Sequence, residues 1–182
     1  MRAIREMYVA EGNVDAYFAY AERSGVQSDM SIAARDSLSF AAAKSLYFSG
    51  DIENAKNRLN SYIEAFDKGY NRTEALFYLS DCYVLLDNRP QALKNMEALL
   101  DLGQTQYRER VLDVYARMTF DEQEYEKSAN AYLELYNSAH DLKSRQIASE
   151  GYIDASRYYL VGGRLKDAAD EVLKMADATD WA

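Results

Sequence analysis

The sequence predicts an all-α fold, a right-handed superhelical solenoid of about five antiparallel helix pairs. Three observations carry that prediction. Apolar and small residues recur at i, i+3, i+4 and i+7 almost everywhere, and no stretch sustains the alternation of a β-strand. Eight Gly and one Pro among 182 residues are too few for a turn-rich β architecture. A short break also recurs. "YFSGDIENAKNRL" (Tyr47–Leu59) closes one apolar helix at a Gly-Asp and opens another. The same shape returns in "YVLLDNRPQALKNM" (Tyr83–Met96), "RMTFDEQEYEKSANAY" (Arg117–Tyr132) and "YYLVGGRLKDAADEV" (Tyr158–Val172), and near the start in "MYVAEGNVDAYFAY" (Met7–Tyr20). The small residues Ala55, Ala92, Ser128 and Ala168 stand early in the second helices, 37, 36 and 40 residues apart by subtraction. A recurrence in that range is the mark of a helical repeat array.

Taken in order, the pattern predicts helices over 2–11 and 14–25, then 30–49 and 52–67, then 72–87 and 89–102, then 105–120 and 122–138, and finally 142–161 and 164–178. In the second pair, Gly50 suits the left-handed residue that ends a helix, and Asp51 can cap the next one. "NRTE" (Asn71–Glu74) reads as a capping box opening the fifth helix. Asn88 can cap the sixth, with Pro90 in the first turn, where a missing N–H is harmless. "FDKGYN", "DLGQTQ" and "SAHDLKS" supply longer connections between pairs. The repeats then run over about 1–29, 30–70, 71–104, 105–141 and 142–182, as one array. Met1 already stands in the packing register, and Leu165, Val172 and Met175 of the last helix expect cover that no capping helix supplies. The chain is therefore expected to be a piece of a longer array, with weak end-to-end self-association through its exposed ends.

Composition excludes several classes. No uncharged apolar run approaches the roughly 20 residues of a membrane span, and "MRAIREMYVAEG" carries charges throughout, unlike a signal peptide. Twenty-one basic against thirty acidic residues give a net charge of −9, which argues against a nucleic-acid partner. One cysteine rules out an internal disulfide, and with a single histidine it leaves little for a Cys/His metal site.

The repeat resembles the tetratricopeptide repeat (TPR) family over essentially the whole chain. The family signature is a large residue, then a Leu-like one three positions on, then a small one, then an aromatic. The third repeat matches with Leu76, Leu79, Ser80 and Tyr83, the fourth with Leu112, Tyr115, Ala116 and Thr119, and the fifth with Tyr152, Ala155, Ser156 and Tyr159. The second is a weaker match, with Ser39, Ala42, Ala43 and Leu46. In the second helices the small residue is followed four on by Leu59, Met96, Tyr132 and Val172. The family's helix-ending proline is missing and the spacings exceed its usual length, which implies a divergent branch. More narrowly, "GNVDAYFAYAERSG" followed by "ARDSLSFAAAKSLYFSGD" is similar to large TPR proteins of Bacteroidetes envelopes. That resemblance implies an extracytoplasmic scaffold, in the periplasm or cell envelope.

No residue constellation for catalysis emerges. His140 lies in a connection with no nucleophile in its motif and reads as a solvated loop residue. Cys82 in "LSDCYVLL" reads as a small buried hydrophobe with no cation to activate it. Asp and Glu fall at helix surface positions. Gly162–Gly163 lacks the strand–loop–helix setting of a phosphate loop and reads as a turn. Most of the sixteen tyrosines, Tyr78, Tyr83, Tyr115, Tyr132, Tyr152 and Tyr159 among them, stand at helical spacing and read as packing residues. No enzyme, cofactor or metal is expected.

A ligand groove is inferred from geometry, since the first helices of stacked pairs line the concave face. Its candidates are Lys44, Tyr78, Asp81, Arg110, Asp113, Arg117, Asp154 and Arg157. Lys44, Asp81, Arg117 and Arg157 occupy equivalent places in successive repeats. Two readings share them: salt bridging between repeats, such as Asp81 with Arg117, or a groove for a partner peptide. Some TPR proteins clamp a C-terminal carboxylate with paired Lys and Asn, but here Phe40 with Lys44, Tyr78, and Arg110 with Val114 stand at those places, so chaperone-tail recognition is not expected. The expected function is a protein-interaction scaffold that binds a partner protein or peptide on the concave face. The alternative is a purely architectural or self-associating spacer segment of a larger envelope protein.

Overall fold

The computed structural model describes residues 2–25, 31–159 and 165–178, with side chains described for 3–25, 31–158 and 169–175. All ten helices anticipated from periodicity are present among the described residues, and no strand is. They are α1 (Arg2–Ala10), α2 (Val14–Arg23), α3 (Ile32–Ser49), α4 (Ile52–Ala65), α5 (Arg72–Leu85), α6 (Arg89–Leu100), α7 (Arg108–Asp121), α8 (Tyr125–Ser138), α9 (Leu142–Tyr159) and α10 (Leu165–Ala178). The chain divides into two compact units, residues 1–102 and 103–182. In the first, each helix packs on its neighbour in sequence, and α1 meets α3 as α3 meets α5. In the second, α7, α8, α9 and α10 pack in order, and α7 also meets α9. First helices thus stack on first helices within each unit, the arrangement of a solenoid.

The turn inside each pair is one device used four times. Gly12, Gly50, Asp87 and Gln123 all have positive φ, at 66°, 84°, 52° and 62°, and they lie 38, 37 and 36 residues apart by subtraction. Each donates its N–H to the carbonyl three residues back, and the next residue donates five back. In the second pair these are Gly50 to Tyr47 at 3.1 Å and Asp51 to Leu46 at 3.0 Å; in the fourth, Gln123 to Phe120 at 2.9 Å and Glu124 to Thr119 at 2.8 Å. Those two bonds satisfy the last carbonyls of one helix, and the following residue then caps the next. Asn13, Asp51 and Asn88 accept from the N–H three residues on, each at 3.4 Å. The turn explains where observed helices fall short of expectation. The fifth ends at Leu85 rather than 87 because Asp87 is left-handed, and the eighth starts at Tyr125 rather than 122 because Gln123 is.

Burial follows the repeat. Ala55, Ala92 and Ser128, each four residues after its capping position, are fully buried. Such small residues let the two helices of a pair approach closely. The Ser128 hydroxyl offsets its own desolvation by donating to the Ala116 carbonyl at 2.8 Å. Leu59, Met96 and Tyr132, four further on, are buried as well. The first pair inverts the order, with Tyr17 at the small position and Ala21 at the large one, both buried. The signature residues Leu76, Leu79, Ser80, Leu112, Tyr115, Ala116, Ala155 and Ser156 are core. Each fully buried leucine of this kind contributes roughly 1.5–3 kcal/mol. Tyr115, Tyr132 and Tyr152 are buried as expected, and half-buried Tyr83 accepts from Asn60 at 3.1 Å.

Two readings of the sequence need correction. The capping box at Asn71–Glu74 does not form: Asn71 makes no side-chain cap bond, and Glu74 turns to Lys44. Glu74 is drawn to a cation across the helices, and the Asn71 N–H to which it would reach back already donates to the Tyr62 hydroxyl at 3.2 Å. Nor do the acids all lie at the surface. Asp36 of α3 is buried and accepts from the Tyr62 hydroxyl at 2.5 Å, the Tyr70 N–H at 2.8 Å and the Asn71 side chain at 3.3 Å. It pins the connection between α4 and α5 to the core. At the chain's end, Met175 is covered and receives the Tyr136 hydroxyl on its carbonyl at 3.1 Å, whereas Val172 is half-buried. Gly162, Gly163, Trp181 and Ala182, and the side chains of Tyr159, Leu165 and Ala168, lie outside the described residues.

Candidate functional site

In the first unit, the groove candidates gather on facing sides of α3 and α5. Counted back from the positive-φ turn residue, Lys44 and Asp81 are each six places away, so the turn register makes them equivalent. Lys44 pairs with Glu74 at 2.6 Å and lies above the rings of Tyr78, Phe40 and Phe48, at 5.5, 5.7 and 6.0 Å from their centroids. Tyr78 sits 4.7 Å from Tyr47 and 5.7 Å edge-on from Phe48. Burial raises the Tyr78 phenol pKa, which Lys44 counters and Glu74 reinforces. Tyr47 donates to Asp81 at 2.5 Å. The cage that rings and carboxylate form for a cation therefore already holds the protein's own Lys44. Beside it, Phe48 is 67% exposed and Leu85 60% exposed, both two places before their turn residue.

The second unit uses the same register differently. Arg117, six places before Gln123, forms an ion pair with Asp113 one turn back at 2.6 Å, and its amphipathic neighbour repeat pairs Arg157 with Asp154 at 3.1 Å. The carboxylate found beside Arg117 is thus Asp113 of its own helix, where a spacing of four places the groups side by side. Asp81, in the first unit, accepts from Tyr47.

Between the starts of α7 and α9 a cleft of about 620 Å³ opens. Arg110 and Asp113 line it, together with Gln104, Thr105 and Gln106 of the connection, Leu135 and Ser138 of α8, and His140, Ser144 and Ile147. Arg108 forms part of the wall, held by Glu134 and by the Gly103 carbonyl at 2.8 Å. His140 is exposed, as expected of a loop histidine, and contacts Glu109 through Nδ1. Thr105 Oγ1 is buried without a hydrogen-bond partner, the one such side-chain atom among the described residues. An orphaned buried hydroxyl calls for an explanation, and here it borders a cavity.

Sequence reasoning missed Glu74, Phe48 and Thr105 among other lining residues, although it named Tyr78 and Asp81. Glu74, Tyr78 and Asp81 share one stripe of α5 at spacings of four and three, a signal the capping-box reading obscured. Phe48 stands at the end of its helix and is not singled out by the sequence. Nothing in the sequence marks Thr105. Cys82 is buried as anticipated, and burial, then Asp81, pushes its thiol up to about 12, so it is no nucleophile at neutral pH. No group of three His, Cys, Asp or Glu able to hold a metal occurs among the described residues, and no described helix is long and apolar enough to cross a membrane.

No protein-family model matches the sequence, and no curated protein matches it. The architecture does have solved counterparts. Crystal structures of nearly identical TPR-like repeats from a Podosopora anserina protein assigned as a kinesin light chain superpose with a TM-score of 0.57 over 99% of this chain and 95% of theirs, at 12% identity. A point variant of that protein gives the same score over 94% of its chain. The fold is TPR-like. At that identity the likeness concerns architecture alone. TPR-like arrays generally serve as protein-interaction scaffolds and are typically not enzymes, because stacked helix pairs offer long surfaces rather than an enclosed pocket.

Proposed function

We propose that this TPR-like chain is a docking scaffold and that the cleft between the starts of α7 and α9 receives a segment of a protein partner. The observation that carries the reading is the cleft itself. It has room for several side chains, and it is bordered by Arg110, Asp113, two glutamines and the orphaned Thr105 hydroxyl, with Leu135 and Ile147 as apolar floor. Polar groups that match both signs of charge suit a peptide backbone with mixed side chains. They suit a single anion poorly, since Glu109 and Asp113 stand beside Arg108 and Arg110. An added segment would also give Thr105 the partner it lacks.

The test is affinity selection of peptides from a displayed random library on the intact chain, followed by binding to variants. Arg110→Glu and Ile147→Asp should each weaken the selected peptides at least about tenfold, the size expected when a buried contact of 1.4 kcal/mol is lost. Lys56→Glu, on a second helix of the other unit, should leave them unchanged. Selected peptides insensitive to both cleft variants would show that the cleft does not bind them. Failure to enrich any peptide would favour the alternative of an architectural spacer.

A further inference from the structure

A second surface lies at the turn between α7 and α8, away from the cleft residues in sequence and independent of them. Tyr125, the first residue of α8, stacks on Tyr158 of α9 with centroids 4.8 Å apart and planes at 20°. Phe120 stands edge-on to both, at 5.3 and 5.8 Å. A shallow recess of about 400 Å³ is lined by these two tyrosines with Gln123, Glu124, Glu126 and Lys127. Tyr158 is 58% exposed, so the stack is not a core feature. The left-handed Gln123 turns the chain there, and Glu124 and Glu126 line the recess beside the rings with Lys127, which is engaged with Glu124 at 2.5 Å.

We propose that this ring platform docks an arginine side chain of a protein partner. Charge complementarity chooses the occupant. Two carboxylates against one ammonium at the recess disfavour an anion and favour a cation, in a chain whose net charge is already −9. Geometry then favours arginine over lysine. A planar guanidinium stacks on an exposed tyrosine face and still presents its fork of donors to a carboxylate at the rim. The first unit shows the same chemistry, where Lys44 rests over three rings with Glu74 beside it. At the α7–α8 turn, Tyr125 and Tyr158 with Glu126 supply rings and carboxylate in the same combination. This site adds a point of specificity at the opposite ends of α7 and α9 from the cleft: a partner would be chosen partly by an arginine that reaches it.

The intact chain, labelled with ¹³C in its tyrosine rings, can be titrated with an acetylated tetra-arginine peptide while ring resonances are followed by NMR. Saturable shifts confined to Tyr125 and Tyr158 are expected. Tyr158→Leu should weaken the peptide roughly two- to fivefold, the range for an exposed cation–π contact, while Tyr158→Phe should keep its affinity. Glu126→Gln should weaken it too, and because it is an exposed position the fold is preserved. No shifts, or shifts that persist undiminished in Tyr158→Leu, would overturn the proposal. The latter result would reduce the effect to nonspecific attraction by acids. A tetra-glutamate peptide that shifted the same rings equally would overturn it as well.

Discussion

The two units share one turn, one spacing and one pattern of small residues, yet they hold themselves together by different means. In residues 1–102 the joints between repeats are polar and aromatic: Asp36 gathers Tyr62, Tyr70 and Asn71, and Lys44 lies among rings with Glu74. In residues 103–182 the joint between α8 and α9 at Gly151 is steric. A Cβ built on Gly151 of α9 would meet the ring of Tyr132 at 2.4–2.6 Å, so the ring of α8 lies directly on the backbone of the next first helix. The six-before-turn position tells the same story, holding caged Lys44 and Asp81 in one unit and Arg117, tied to its own helix, in the other. A repeat register therefore specifies where helices touch, while the chemistry of each joint is free to differ.

The largest effect expected concerns thiol chemistry. A pKa raised from 9.0 to about 12 should slow labelling of Cys82 in the native state by roughly a thousandfold through thiolate fraction alone. The corresponding place in the second unit, five before the turn, is half-buried Met118. Met118→Cys in a Cys82→Ala background should label far faster by mass spectrometry. Similar slow rates for both would mean that position 118 is as closed as Cys82 and that the two units do not differ there.

Asp36→Ala should cost about 3 kcal/mol in urea unfolding, because the Tyr62 hydroxyl and the Tyr70 amide lose their shared buried acceptor. A loss under 1 kcal/mol would show that water replaces the carboxylate and that the joint is less polar than described. For the second unit, Gly151→Ala should destabilise by about 1–2 kcal/mol despite alanine's better helix propensity, since Tyr132 must leave its buried position. A gain in stability would mean the ring can move aside.

The shared turn offers a smaller and signed comparison. Gly50→Ala should cost about 1 kcal/mol through its φ of 84° alone, since open space surrounds the position. Gln123→Gly relieves the same strain at a φ of 62° and should stabilise by about 0.5 kcal/mol. Equal signs for the two would refute the equivalence of the turns. Smallest of all, double-mutant cycles should give up to about 1 kcal/mol for Lys44 with Glu74, which is partly shielded, against about 0.4 kcal/mol for Arg117 with Asp113.

Much of the array was legible because its causes are local. The helices, the close contacts at Ala55, Ala92 and Ser128, and the stops at Gly50 and Asp51 depend on residues within a turn or two of each other. Periodicity records those directly. Burial of Cys82 and exposure of His140 follow from the same register. The candidate groove was legible only in part. Arg117 pairs with Asp113 of its own helix and Asp81 accepts from Tyr47, contacts that the sequence reading did not anticipate.

What the tertiary structure alone decided are the contacts between helices that the turns do not join. Asp36 and Tyr70 stand 34 residues apart, as do Tyr47 and Asp81, and Lys44 and Glu74 stand 30 apart. A carboxylate's partner at such range depends on helix rotation and spacing, which the packing of large side chains sets and no local pattern encodes. The same holds for the cleft with its orphaned Thr105 hydroxyl and for the Tyr125–Tyr158 stack. By itself the sequence determined the repeat, because each helix pair is built from neighbours. It left open which polar groups meet across repeats, because that choice is made only once the pairs are stacked.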